Sequence, residues 1–319
     1  MRIVIHGQQA FGRAVLEKLL ARDAADEQII AVCTAPEQPG KPDDPLKALA
    51  LEHDLPVHQP ASWKTPEALA LMQSFNADVC MMAYVLLFVP ETVLNAPRLG
   101  SFQYHPSLLP MHRGPSSINW PIALGATETG LSIFWPNDGL DEGPILLQKT
   151  CAIGADETLG DVYFNKLFPL GVDAMLESLD LVKAGDAPRI AQDLTAGSYE
   201  SWFGKAQAEV DWTQPAQTVY NIIRAANPQP GAWTTHAGAR LSIFDSELIA
   251  GGDGAGDGGD GAGAGAGKPG EVLTVDDNGI TVAAADGAIR IKRVRADAGK
   301  IPAAEYAAAA NLKPGDQLG

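Results

Sequence analysis

The sequence predicts an α/β protein: a doubly wound, mostly parallel sheet followed by a smaller β-rich domain. Three observations carry this. The chain opens with a short apolar strand, a glycine turn and a helix, the way a parallel sheet begins. Strand and helix signals then alternate as far as Asp193. From Ser198 the pattern changes to short strands of alternating polarity with turn residues between them.

The elements follow in order. Residues 2–6 are the first strand, Gly7 to Gly12 the turn, and Arg13 to Ala21 a helix. Gly7 and Gly12 do not make a Gly-x-Gly-x-x-Gly pattern, so they read as a tight turn with close helix packing, not a dinucleotide site. Ile29–Thr34 is the second strand, and Pro36–Pro45 a loop. Leu46–His53 is a helix, Pro56–His58 a short strand and Pro66–Phe75 a further helix. Asp78–Ala83 is a short apolar run of the kind buried in parallel sheets. Tyr84–Pro90 is an apolar loop at the carboxyl end of that strand, where open α/β sheets place ligands. For any single residue of the loop, core packing fits as well. A short helix from Pro90 and a strand over Gly100–Tyr104 put His105 where that strand ends. Ile118–Leu124 is a helix with Asn119 and Ser116 at its start, Gly130–Pro136 a strand, and Ile145–Lys149 another. Leu159–Ala184 is mostly helical, interrupted at Pro169.

Domain limits are predicted at 1–197 and 198–319. In the second part a helix ends near Ala225, and strands fall at 234–236, 240–244, 271–275, 279–282 and 289–294, a spacing that suggests a small barrel. Residues 250–268 are nearly all Gly, Ala and Asp, which cannot build a core, so a flexible tract is expected there.

With 319 residues there is length for two cores, and 46% hydrophobic content excludes global disorder. No apolar run reaches a membrane span, and Met1-Arg2-Ile3-Val4 enters a strand directly, so no signal peptide and a cytoplasmic location are expected. Cys33, Cys80 and Cys151 lie far apart without metal-ligand spacing, which fits reduced thiols and no metal. The net charge of −16 makes the chain a poor polyanion binder on average.

Two stretches carry the chemistry. The first runs from Phe102 through Gln103, Tyr104, His105, Pro106, Ser107, Leu108, Leu109 and Pro110 to His112, Arg113 and Gly114. The second is Asn137–Gly143, with Asp138 and Asp141. A histidine beside an amide, with an aspartate on a later loop, can run an acyl transfer: imidazole moves a proton, the amide donates to a developing oxyanion, and the carboxylate sets the imidazole's charge. On chemistry alone a satisfied loop histidine and a turn-making aspartate fit the same residues.

The wording of both stretches together resembles the folate-dependent formyltransferase family. Its patterns Asn-x-His, Ser-Leu-Leu-Pro, Arg-Gly and Leu-Asp-x-Gly are matched by Gln103-x-His105, Ser107–Pro110, Arg113-Gly114 and Leu140–Gly143. Within the family the likeness is to the amino-terminal hydrolase domain of 10-formyltetrahydrofolate dehydrogenases, with methionyl-tRNA formyltransferases as the wider parent. The resemblance implies a Rossmann-like catalytic domain, an OB-like second domain, and 10-formyltetrahydrofolate as formyl donor. It implies His105 and Asp141 as the proton-handling pair and Gln103 as oxyanion donor. It also implies a folate site at Leu87, Phe88, Val89, Ser107, Leu108, Leu109, Pro110, Asp138 and Asp141. Gln103 departs from the pattern, since the transferases carry Asn there and the dehydrogenase domain an apolar residue. Arg113 and Lys41 are candidates for the folate's glutamate tail or an anionic acceptor; bracing of the Pro/Gly loop fits Arg113 equally, and a solvated surface charge fits Lys41 better. The formyl acceptor stays open. A small molecule or water (a hydrolase) is favoured over methionyl-tRNA, because Glu37–Asp44 holds three acids and one lysine where the tRNA enzymes carry a basic loop. A non-catalytic folate-binding protein is the remaining alternative.

Overall fold

The structure is a computed structural model that describes residues 1–22, 24–37, 39–249, 267–296 and 299–319. The tract expected to be flexible lies almost wholly outside these residues. In chain order the elements are β1 (Arg2–Gly7), α1 (Gln9–Leu20), β2 (Gln28–Cys33), α2 (Pro45–Glu52), β3 (Val57–His58), α3 (Pro66–Ser74), β4 (Val79–Ala83), α4 (Glu91–Leu94) and β5 (Ser101–His105). There follow α5 (Asn119–Ala123), β6 (Glu128–Phe134), β7 (Ile145–Ala152), α6 (Leu159–Val162), α7 (Phe168–Ala184) and α8 (Ala216–Ala226). The chain ends in β8 (Ala232–His236), β9 (Ala239–Ile243), β10 (Ser246–Ile249), β11 (Val272–Asp276), β12 (Gly279–Ala283), β13 (Ala288–Ile291), β14 (Arg293–Ala296), β15 (Gly299–Pro302) and α9 (Ala303–Ala310). Two compact units form: one from Met1–Ser117, Thr129–Cys151 and Phe164–Glu200, the other from Ile118–Glu128, Ala152–Tyr163 and Ser201–Gly319.

The first unit is built on a seven-stranded sheet of order β3-β2-β1-β4-β5-β6-β7. β1 to β5 run parallel and β6 runs antiparallel to β5. The chain winds outward from β1 through β3, then resumes on the other side of β1 at β4. Strand order therefore reverses between β1 and β4, the place where open sheets leave a crevice at their carboxyl ends. Gly7 is required there, because a Cβ on it would lie 2.2 Å from the Ala83 carbonyl oxygen.

Alternation along the strands splits the core. Tyr104 points to one face, where its ring stacks on Phe11 of α1 and lies against Gly171 of α7. Val4, Cys80 and Met82 point to the other, into a cluster with Trp63, Ala68, Met72, Val93 and Leu94. Burial raises the thiol of Cys80 to about 12 and that of Cys33 well above its usual value, and all three cysteines are free.

Two helix starts depart from the local reading. α1 begins at Gln9, not Arg13, because Asp44 accepts its N–H (2.8 Å) across 35 residues. The same carboxylate caps α2 through Leu46 (2.9 Å), so one charge serves two helix N-termini. The break expected at Pro169 is a π-helical turn, Tyr163–Leu167, just before it, while Pro169 sits harmlessly in the first turn of α7.

The second unit holds two four-stranded sheets, β10-β13-β12-β11 and β15-β14-β9-β8, all of whose pairings are antiparallel. The run expected as one strand over 289–294 divides between them at Lys292. Both Lys292 and Arg293 donate their N–H to the Asp245 carbonyl (2.8 and 3.2 Å), which ends β13 and starts β14 in the other sheet. Within this unit Arg224 of α8 is buried and gathers the carbonyls of Gly154 and Glu157, and Asn119 donates to the Ala225 carbonyl. The alanine-rich helix α9 was not anticipated. Its composition has high intrinsic helix propensity.

Candidate active site

The period of two along β5 puts Gln103 and His105 on the same face as Met82, which pairs with Gln103 in the neighbouring strand. His105 is the last residue of β5 and is buried. Its Nε2 lies 3.0 Å from the carbonyl oxygen of His112. A carbonyl can only accept, so Nε2 carries the hydrogen and Nδ1 holds the lone pair in the neutral ring. Nδ1 faces Oδ2 of Asp141 at 3.7 Å, too long for a hydrogen bond. The Phe134 ring stands edge-on to the imidazole at 6.5 Å.

Asp141 is itself held. Its Oδ2 accepts the N–H of Gly114 (2.8 Å), and Gln192 donates to its carbonyl (2.9 Å) and to that of Gly143 (2.6 Å). Gly114 has φ +92, and a Cβ there would lie 2.7 Å from the Tyr199 ring and 2.9 Å from the Glu200 carbonyl oxygen. Only glycine presents its N–H to Asp141 in that space. Tyr84, His112, Ser116 and Asp141 also sit at positive φ (66, 55, 63 and 54°). Each costs about 1 kcal/mol for a residue with a Cβ.

The other expected site residues fall into three groups. Gln103 is half-buried, and its amide makes no hydrogen bond among the described residues, so it is free to donate. On the loop after β4, Val89 is buried in the core cluster, Leu87 packs partly against it, and Phe88 is half exposed with Lys64 Nζ 4.9 Å from its ring centre. The Ser107–Pro110 turn is braced from within. Ser107 donates to the Met111 carbonyl (2.7 Å) and Leu109 to Ser132 Oγ (3.0 Å), Ser132 donates to the Ser107 carbonyl (2.7 Å), and Leu108 packs on Gly130. The Leu109–Pro110 peptide is cis. Asp138 Oδ1 accepts the N–H of Glu91 (2.9 Å), capping α4 from 47 residues away.

Arg113, a candidate for an anionic tail, pairs with Glu142 (2.8 Å) and donates to the Ser198 carbonyl (3.4 Å). Lys41 is exposed. Ser132, Gln148, Gln192, Ser198 and Glu200 support the site, yet no motif flags them. A strand serine or a linker glutamate carries no signal until its partner is known. Among the described residues no group of three or more His, Cys, Asp or Glu is arranged to hold a metal ion. No described helix is long and apolar enough to cross a membrane.

The sequence matches the formyl transferase family over residues 1–178 and the formyl transferase C-terminal domain over 203–311. It is 36% identical over 313 residues to cytosolic 10-formyltetrahydrofolate dehydrogenase of Xenopus tropicalis, covering 96% of this chain and 34% of that protein. The chain thus spans about a third of the length of that relative. It is 34% identical over 325 residues to methionyl-tRNA formyltransferase of Geobacter sulfurreducens, covering 100% of this chain and 97% of that one. Two solved structures share the fold. HypX from Aquifex aeolicus in complex with tetrahydrofolic acid has TM-score 0.63 at 19% identity, over 96% of this chain and 47% of that one. An N-formyltransferase from Helicobacter canadensis, solved with folinic acid and dTDP-3-aminofucose, has TM-score 0.66 at 17% identity, over 91% and 98%.

Proposed function

This chain belongs to the formyl transferase family, and we propose that it moves a formyl group from 10-formyltetrahydrofolate to water or a small-molecule acceptor. The observation that carries this is the His105–Asp141 pair. The acceptor attacks the formyl carbon and gives its proton to Nδ1 of His105. The resulting imidazolium keeps Nε2–H on the His112 carbonyl and turns Nδ1–H toward the Asp141 carboxylate. The tetrahedral oxyanion takes a hydrogen bond from the Gln103 amide. Collapse expels the folate nitrogen N10, which receives the proton from His105. In this reading Leu87, Phe88 and Val89 hold the folate's ring system, Ser107, Leu108, Leu109 and Pro110 shape the opposite wall, and Asp138 keeps the loop between them in place.

One observation favours a second acceptor, methionyl-tRNA. Alternation along a single strand would split Arg290, Lys292, Arg293 and Arg295 between two faces. Arg293 and Arg295, two residues apart, share a face of β14. Arg295 pairs in register with Lys300, and Arg240 and Phe244 of the β9 segment lie on that same side. Arg295 and Lys300 both stand over Phe244 (4.9 and 3.7 Å), and Arg240 over Trp233 (4.6 Å). Lys300 is held below its usual pKa by burial first and Arg295 next. Arg290 and Lys292 belong elsewhere, beside Glu247. Phe244 is buried beneath Arg295 and Lys300, and Arg293 lies 3.7 Å from Asp245; a basic sheet face in so acidic a chain suits a nucleic acid backbone.

The test is to incubate the protein with 10-formyltetrahydrofolate in buffer alone, with methionyl-tRNA, or with an amino sugar, and to follow tetrahydrofolate release. Release in buffer alone supports hydrolysis. Release only with an added amine names the acceptor. Folate binding without release under any condition replaces the enzyme with a folate-binding protein.

A further inference from the structure

We infer that residues 198–200 are a positioning strap that fixes which nitrogen of His105 exchanges the proton. The inference deepens the proposed function and rests on it. His112 stands at φ +55, a conformation disfavoured for a residue with a Cβ, and this aims its carbonyl at His105 Nε2. Five contacts from the strap hold the segment there. Ser198 Oγ accepts the His112 N–H (2.9 Å), and Glu200 Oε2 accepts from His112 Nδ1 (3.2 Å). The backbone then pairs as a short parallel ladder: Arg113 N–H donates to the Ser198 carbonyl (3.1 Å), and Glu200 N–H to the Arg113 carbonyl (3.3 Å). Ser198 N–H also donates to the Pro110 carbonyl (3.2 Å), closing the far end.

The consequence is chemical. Because the held carbonyl only accepts, His105 keeps Nε2–H in both charge states, and proton exchange is confined to Nδ1. The charged and titratable groups around the two imidazoles are Asp141 beside His105, Glu200 beside His112, and the Arg113–Glu142 pair on the adjoining residues. Releasing His112 removes an acceptor from the His105 imidazolium and lets neutral His105 populate its other tautomer. Turnover then drops, because fewer molecules carry the lone pair on Nδ1. Glu200 and Ser198 are thus positioning residues.

The experiment compares Glu200→Ala, Ser198→Ala and Glu200→Gln with the wild-type chain. Imidazole nitrogen chemical shifts of His105 give the tautomer without folate, and steady-state kinetics of tetrahydrofolate release give kcat and KM. Expected are a single Nε2–H tautomer in the wild type and mixed tautomers in both alanine variants. Their kcat should fall by about 10-fold, with KM for the folate little changed. Glu200→Gln, whose amide oxygen still accepts from His112, should restore the wild-type tautomer. A wild-type tautomer in folded Glu200→Ala and Ser198→Ala overturns the inference, even if both melt earlier. If Glu200→Ala does not fold, Ser198→Ala against Glu200→Gln decides alone. A wild-type chain that never releases tetrahydrofolate sinks the proposed function, and the tautomer measurement then still decides the strap.

Discussion

Two buried histidines share one face of the first unit's sheet, at the carboxyl ends of β1 and β5. His6 pairs in register with Met82, and Met82 with Gln103, two residues before His105. Their exposures are 4% and 6%, so burial does not distinguish them. Their hydrogen-bond supply does. His6 packs against Trp63 (ring centres 4.7 Å apart), and neither His6 Nδ1 nor Trp63 Nε1 has a partner among the described residues. Burial alone lowers the pKa of His6 to about 3, leaving a neutral ring that fills core space. His105 has an acceptor fixed on one nitrogen and a carboxylate facing the other. A buried imidazole can cycle a proton only where the surroundings can receive its charge. That favours β5 over β1 as the strand carrying the proposed base.

The contrast breaks most sharply if His105 or Asp141 is dispensable. His105→Ala and Asp141→Ala should each lower folate turnover by about 10² or more, with folate binding retained. Near-normal turnover in both removes the catalytic assignment. Gln103→Leu should cost a smaller factor, roughly 10-fold, since Gln is one methylene longer than the Asn of related transferases and preorganises the donor less well. Steady-state kinetics showing kcat unchanged would make Gln103 structural.

The same contrast predicts opposite behaviour for His6. Folded His6 is neutral, whereas the unfolded chain takes a proton there below its ordinary 6.5. The unfolded state then binds more protons, so stability falls as pH drops from about 6.5 towards 3, by up to about 1.4 kcal/mol per pH unit, and this loss is absent above 6.5. His6→Leu should flatten that part of the acid denaturation curve and leave turnover at neutral pH nearly unchanged. A variant whose denaturation midpoint follows pH as the wild type does would show that His6 is charged in the fold. The smallest effect is expected at Asp44. Asp44→Ala uncaps α1 and α2 and should cost about 1–2 kcal/mol in thermal unfolding, again without touching kcat.

Much of this was legible in the chain itself. The alternation of strand and helix up to Asp193, the short strands after Ser198 and the two motif stretches bearing His105 and Asp141 all stand in the sequence. So does the fact that Gln103 and His105 share a face, because the side-chain period of a strand is two. A helix start was less legible where its N–H partner came from elsewhere, as Asp44 does for α1. The contacts of Arg113 were not legible, because its partners, Glu142 and Ser198, lie 29 and 85 residues away.

By itself the sequence determined the fold class, the strand that carries the candidate base and the residue types available to it. Those follow from periodicities of two and 3.6 and from short motifs, which depend only on neighbours along the chain. The tertiary structure alone decided which nitrogen of His105 holds its proton, that Glu200 reaches His112 across 88 residues, and that Nδ1 of His6, equally buried, has no hydrogen-bond partner among the described residues. Hydrogen bonds are satisfied by whatever the fold brings within about 3 Å, and no local pattern encodes which distant group that will be.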